Sequence, residues 1–318
     1  PFFFFNDTAT TEIYTLSLHD ALPIYAGQGS QVVGMGKSFY PREIFDQNED
    51  LKELCFNGPL EKLSYTPYTQ PCMVMVATII TDLLKEQGIV PDYTAGLSLG
   101  EYSALYCAGV FERKQVIDLA RFRGKVMQEA VSGIESEMIA VLGMKEELLQ
   151  DLCHQASSLG VVSISNYNCP GQLVVAGEKK AVENVKELAL ENKARRVISL
   201  NTSGPFHTSL LKEASLALKE RFKKETFHEM KIPVIFNTLG HEIEDQSIPE
   251  ILEKQVMSPV YFEKSIRYMI DQGVDTIIEV GPGKVLSGFV RKLDRSIQLY
   301  QIEDMESLKK TVKALKGE

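Results

Sequence analysis

Ser98 stands between two glycines in TAGLSLGEYSALYCAGV, residues 94–110, where a short strand-like stretch gives way to a helix. A nucleophile at such a turn packs so tightly that the positions two before and two after it must be small, and Gly96 and Gly100 are. The turn also aims the backbone N–H of Leu99 at the point where a tetrahedral oxyanion would form. Acyl transfer through a serine ester is the chemistry this spacing allows. The motif alone is weak, because glycine and serine are common and loops collect both. A base, a second oxyanion donor and a substrate anchor must come from elsewhere in the chain.

Arg123 is a candidate anchor. In its helix Val116, Leu119, Ala120, Val126, Met127 and Ala130 form one apolar stripe at three- and four-residue steps, and Arg123 lies inside it. A guanidinium on a buried face is costly unless an anion meets it. Three readings are open: an ion pair with a protein carboxylate, a stem that reaches out to solvent, or a pocket for a substrate carboxylate gripped by the planar fork. His207 repeats the pattern. It continues the face formed by Leu210, Leu211, Ala214 and Leu218 at the start of a helix, as a general base or as a satisfied core or capping histidine. His154, His228 and His241 sit in polar or acidic stretches and read as surface residues. The glycine-rich YAGQGSQVVGMG, residues 25–36, fits neither G-x-G-x-x-G nor the lysine-containing P-loop. A loop at the carboxyl end of a strand is where a second oxyanion donor sits in this architecture. EVGPGKVLSGF, residues 279–289, also lacks P-loop spacing and reads as a turn capping the final helix.

The elements that must hold these residues alternate. PCMVMVATIITDLLKEQG reads as a helix ended by Gly88, IVPDYTAGLSLG as a strand and sharp turn, and EYSALYCAG and RKQVIDLARFRGKVMQEAV as helices. From about 136 to 201 the order becomes strand, helix, strand, strand, helix, strand, the split βαβ unit of ferredoxin-like folds. A helix from about 207, strand PVIFN, helix SPVYFEKSIRYMIDQG, strand DTIIEVG and a last helix from 283 follow. Such alternation on either side of the insert predicts a mainly parallel α/β sheet with helices on both faces. The resulting division is 25–135 and 202–318 for a large domain and 136–201 for an inserted small one. Residues 1–24 fit nothing downstream. NDTATTEIYTLSLHDALPI resembles a common sequencing-library adaptor translated in frame, so this leader is expected to be non-native and to displace most of the first strand. Pro23 would then sit where a central strand wants a donor.

Bulk properties bound the function. A net charge of −9 and a pI near 5.3 argue against nucleic acid, since no basic field exists to displace counterions from phosphate. The 5 cysteines show no C-x-x-C pair or metal-ligand spacing, which suits a reducing cytoplasm. The longest apolar run, MVMVATII, is too short to span a bilayer.

Taken together, GQGSQ, GMG, AGLSLGEYSAL, RGKVMQEA, NYNCPGQLVVAG, GPFHTSLL, QVMSPVYF and EVGPGKVLSG resemble, in family order from Tyr25 onward, the malonyl-CoA:acyl carrier protein transacylases of fatty-acid synthesis. The resemblance implies an α/β-hydrolase-like large domain and a ferredoxin-like small one. It implies Ser98 as nucleophile, His207 as general base, and the Gln28 and Leu99 N–H groups as oxyanion hole. Arg123 would bind the malonyl carboxylate, and the main-chain carbonyl of Gln255 would orient His207, making a dyad with no acid. Asn168 matches an active-site polar position, and Phe206 the pattern of malonyl-selective members. Leu97 departs from the histidine many members carry before the serine. The implied partners are malonyl-CoA and an acidic carrier protein, for which Lys193, Arg195, Arg196, Lys125 and Arg121 are basic docking candidates. No metal or redox cofactor, nucleic acid or membrane is implied, and the chain is expected to be a cytoplasmic monomer. A discrete polyketide-synthase acyltransferase shares the same chemistry. A serine esterase or thioesterase would want an acid behind His207 and has no use for Arg123.

Overall fold

The computed structural model describes residues 21–317. Along the chain, strand β1 (Ala21–Tyr25) leads through the short helices α1 (Glu43–Gln47), α2 (Glu49–Asn57) and α3 (Leu60–Leu63) into the long α4 (Thr66–Glu86). Strand β2 (Thr94–Gly96) and helices α5 (Gly100–Cys107) and α6 (Arg113–Ala130) follow. Next come β3 (Ser136–Leu142), α7 (Glu146–Ala156), β4 (Val162–Cys169), β5 (Gln172–Glu178), α8 (Lys179–Glu191) and β6 (Arg196–Ser199). The chain continues with α9 (Lys212–Phe222), β7 (Val234–Ile235), α10 (Ile248–Gln255), α11 (Phe262–Asp271), β8 (Thr276–Val280), α12 (Val285–Leu293), β9 (Gln298–Ile302) and α13 (Met305–Lys316).

One sheet has the order β7-β2-β1-β8-β9 with every neighbouring pair parallel. Its central strands are apolar and buried on both faces, as helix-covered parallel strands must be. A second sheet, β4-β5-β3-β6, is antiparallel throughout. With α7 and α8 it forms the ferredoxin-like βαββαβ unit. One face of that sheet, through Ile139, Val141, Leu173 and Val175, packs on α7 and α8. The other, through Met138, Ala140, Val174 and Ala176, joins the core of the main sheet. The fold is therefore the α/β arrangement with an inserted smaller sheet.

Four expectations about elements differ from what is observed. The stretch PVIFN contributes only Val234 and Ile235 to the ladder, because the chain turns at Phe236 and gives the Asn237 N–H to Glu101. The helix expected from 207 begins at Lys212 after a single 3-10 turn, since His207 is held at φ 64 with its N–H on the Val256 carbonyl, 3.0 Å. The helix expected from 258 begins at Phe262, because Val260 first pairs with β4 on both sides of Asn166. The helix at 285 is not the last: β9 and α13 follow, the latter started by an Asp304–Ser307 capping box.

Of the leader, residues 1–20 lie outside the described part of the chain. Residues 21–24 belong to the central strand, with Pro23 in register with Ile278. Among the described residues no helix is long and apolar enough to cross a membrane.

Candidate active site

The turn between β2 and α5 sets the geometry. Ser98 has φ 53, a left-handed conformation that costs an ordinary residue roughly 1–3 kcal/mol and persists only where the surroundings enforce it. The two flanking glycines do so. A Cβ on Gly96 would lie 2.0 Å from the Gly100 carbonyl carbon, and one on Gly100 would lie 2.1 Å from the Tyr25 carbonyl oxygen. Any side chain at either position would push the helix off the sheet. Asn237, delivered by the early end of β7, locks the turn: its Oδ1 accepts the Ser98 N–H at 2.6 Å and its Nδ2 donates to the Gly96 carbonyl at 2.6 Å. Among the described residues no acceptor takes the Leu99 N–H or the Gln28 N–H.

Ser98 Oγ and His207 Nε2 are 2.7 Å apart. His207 Nδ1 faces the Gln255 carbonyl at 2.9 Å and the Ser258 carbonyl at 3.1 Å. Both carbonyls only accept, so Nδ1 carries the proton and Nε2 is left as acceptor for the serine hydroxyl. Gln255 is the last residue of α10, a helix started by a Ser247–Glu250 capping box, and Ser258 lies in the bend just after it. No carboxylate touches His207 among the described residues; backbone carbonyls orient it. Burial pushes its pKa down to about 4, the charge of Arg123 adds to the shift, and the two carbonyls oppose it only in part. At neutral pH the imidazole is therefore free to accept a proton.

Arg123 is 1% exposed, and no carboxylate pairs with it among the described residues. Its Nη2 donates to Ser98 Oγ at 3.2 Å and to Gln255 Oε1 at 2.9 Å. Its guanidinium lies over the Tyr102 ring at 5.4 Å, and its Nε has no acceptor. Burial lowers its pKa, with Tyr102 and Glu101 opposing. Of the three readings open from sequence, direct pairing with a protein carboxylate and escape to solvent are both absent. What remains is a buried cation whose fork borders a cavity of about 430 Å³ beside Ser98.

That cavity collects the sequence candidates. Gln28, Ser98, Arg123, Asn168, Phe206 and His207 all line it, and Leu99 and Gln255 lie directly behind its wall. Asn168 and Gln70 each present a side-chain oxygen that is buried and without a donor. The glycine-rich loop 26–31 forms one rim. The Gln28 side chain is tied to Thr66 at 2.9 Å, and Thr66 hydrogen-bonds Ser203 across the site. The segment read as a mere helix-capping turn also contributes, through Val285, Leu286 and Phe289. Glu279 holds it there by accepting the Leu286 and Ser287 N–H groups at 3.0 and 2.8 Å. His154 and His228 are exposed and His241 is half-buried, all away from the cavity.

Sequence reasoning missed two residues, Asn237 and Glu101. Glu101 is wholly buried, and it accepts from the Asn237 N–H at 2.6 Å and from Gln255 Nε2 at 3.1 Å. Its sequence carries little signal: GEYSALYC is rich in small and apolar residues, but an acid in the first turn of a helix is ordinary.

Fold and sequence together define an acyltransferase, with a serine and a histidine paired in its cavity. The sequence profile of the acyl transferase domain matches residues 23–310. The malonyl CoA-acyl carrier protein transacylase of Bacillus subtilis is 41% identical over 307 residues, which are 93% of this chain and 97% of that protein. The crystal structure of the corresponding transacylase from Clostridium perfringens superposes with a TM-score of 0.89 at 40% identity, covering 94% of this chain and 98% of the other. A malonyl-transacylase in complex with a type II polyketide synthase acyl carrier protein superposes at 0.88 with 33% identity, over 94% and 100% of the two chains. The chain belongs to the malonyl CoA-acyl carrier protein transacylase family.

Proposed function

We propose that the protein transfers the malonyl group of malonyl-CoA to the phosphopantetheine thiol of acyl carrier protein for fatty-acid synthesis, by way of an ester on Ser98. As Ser98 Oγ attacks the thioester carbon, His207 Nε2 accepts its proton, the role its tautomer and low pKa prepare. The Leu99 and Gln28 N–H groups stabilise the oxyanion, a contribution typically worth about 10²–10³ in rate for each donor. The C–S bond then breaks and the imidazolium returns its proton to the CoA thiolate. In the second half the carrier thiol gives its proton to His207 and its sulfur attacks the ester carbon; the C–Oγ bond breaks and the imidazolium returns the proton to Ser98 Oγ. No step calls on a metal or redox cofactor.

The observation that carries the malonyl assignment is Arg123: buried, unpaired with any carboxylate among the described residues, and 3.2 Å from the nucleophile. A substrate carboxylate supplies the anion such a cation needs. Asn168 and Phe206 line the same cavity. For the carrier protein, Lys193, Arg195 and Arg196 are exposed and enter no ion pair among the described residues, whereas Arg121 pairs with Asp50 and Lys125 lies 3.8 Å from Glu129. The first three are the docking residues we favour. The reading places the protein in the cytoplasm as a monomer.

Mass spectrometry after incubation with malonyl-CoA tests the assignment. The expected result is one malonyl group on the peptide containing Ser98, absent with acetyl-CoA and absent in Ser98→Ala. In Arg123→Ala, loading falls by about 10²-fold, the worth of one or two charge-assisted hydrogen bonds. Normal carrier loading by Ser98→Ala would overturn the mechanism. Rapid hydrolysis of a neutral ester, unaffected by Arg123→Ala, would favour an esterase instead.

A further inference from the structure

Two acids are fully buried among the described residues, Glu101 and Glu279. Glu279 spends both oxygens on the start of α12. Glu101 lies three residues beyond Ser98, and its carboxylate hydrogen-bonds neither Ser98 nor His207. Its two contacts are instead the residues that hold the elbow. Asn237 gives its N–H to Glu101 and accepts the Ser98 N–H. Gln255 Nε2 donates both to Glu101 Oε1 and to the Ser98 carbonyl, at 3.1 and 2.9 Å. The other end of that amide, Oε1, accepts Arg123 Nη2 at 2.9 Å. The Gln255 amide thus lies between a buried carboxylate and a buried guanidinium, its donor end to the anion and its acceptor end to the cation.

We propose that Glu101 is a positioning residue that serves as the resting counter-charge of Arg123 through the Gln255 amide, and that the carboxylate of the arriving acyl group takes over this role. The proposal rests on the reading that an anionic acyl group binds at Arg123. Two buried anions then share one cation, so each weakens the hold of the other by the same factor. Burial pushes the Glu101 carboxyl up to about 7, while the Asn237 N–H, Arg123 and Gln255 pull it back. Arg123 on α6 is the charged group coupled to it, and Tyr102 on its own helix the titratable one. Gln255 from α10 and Asn237 beyond β7 present neutral groups. An acyl carboxylate therefore binds less tightly where Glu101 is ionised, and its arrival draws a proton onto Glu101.

Steady-state malonyl transfer by the full chain and by Glu101→Gln at about pH 6 and about pH 8 tests this, since the two conditions bracket the titration. In the wild type, KM for malonyl-CoA rises about fivefold across that range, the low end of coupling between interacting sites. In Glu101→Gln, KM is flat and lies below the wild-type value at the higher pH. There kcat falls by about tenfold as the elbow loosens, less than the ~10²-fold of a 1 Å misplacement. A variant that loses kcat but keeps the wild-type pH dependence of KM would show a merely structural Glu101 and overturn the proposal. Should Glu101→Gln not fold, proton uptake by the wild type replaces it. In weakly buffered solution near pH 7, malonylation of Ser98 takes up a fraction of a proton per site. Malonyl-Ser98 formed with no uptake overturns the role of Glu101 alone, whereas no malonyl-Ser98 at all overturns the functional reading beneath it.

Discussion

At the scale of single residues the active site is a set of opposed pKa shifts produced by burial. His207 is held near 4, below the ordinary 6.5 of imidazole. Between those values the unfolded chain binds a proton that the folded one refuses, so stability falls as the pH drops through this window. The cost approaches about 3 kcal/mol at the acid end, from about 1.4 kcal/mol per pKa unit. The same shift governs catalysis. The acid limb of kcat/KM for formation of malonyl-Ser98, followed by quenched-flow mass spectrometry, is expected near pH 4. An acid limb at 6 to 7 would mean that the imidazole is not buried as described. Ser98 and Arg123 were legible as candidates because their surroundings in sequence were wrong for ordinary residues: a serine framed by glycines, and a cation inside an apolar stripe. Glu101 was not. An acid in the first turn of a helix is ordinary, and only the sheet packed behind α5 makes it a buried one.

At the scale of elements, the site depends on how closely β1, β2 and α5 approach one another. Gly100 is the contact point, with the Tyr25 carbonyl where a Cβ would be. Gly100→Ala is therefore expected to force α5 away from β1. The loss should reach the upper end of the about 1–3 kcal/mol typical of overpacking, because backbone lies on both sides of the clash. Acylation should fall by about 10²-fold with the displaced nucleophile. A thermal melt and the Ser98 malonylation burst check the two together, and an unchanged burst would refute the packing account. Helix and strand types were readable from periodicity; their ends were read less well. β7, α9 and α11 all start or stop where a tertiary hydrogen bond claims the backbone. Asn237 goes to Glu101, His207 to Val256 and Val260 to β4. Local propensity contains none of these partners.

At the scale of the whole molecule, the cavity belongs to both sheets. Loop 26–31, Ser98 and His207 come from the parallel-sheet part, and Met138, Ala140, Asn168, Gln172 and Val174 from the antiparallel one. A substrate seated there is expected to slow amide hydrogen exchange on both sides at once, in loop 26–31 and in β4 and β5. Protection confined to one side would place the acyl group elsewhere. Burying the acyl group between two walls also restricts the access of water to the ester, as a transferase requires.

The sequence by itself determined the class of fold, the insertion of one α/β unit within another, and the candidates Ser98, His207 and Arg123 that the structure brings together. These follow from periodicity and from residue types out of keeping with their neighbours, which are properties of the chain. Tertiary structure alone decided that Arg123 is buried with no carboxylate beside it among the described residues, and that backbone carbonyls face His207 Nδ1. It also decided that Asn237 and Glu101 support the elbow. Those outcomes depend on which groups meet after 100 or more intervening residues have folded, as Ser98 meets His207 and Asn237, and on how little water is left between them. Burial sets the charge of a side chain, and burial is a property of the assembled core.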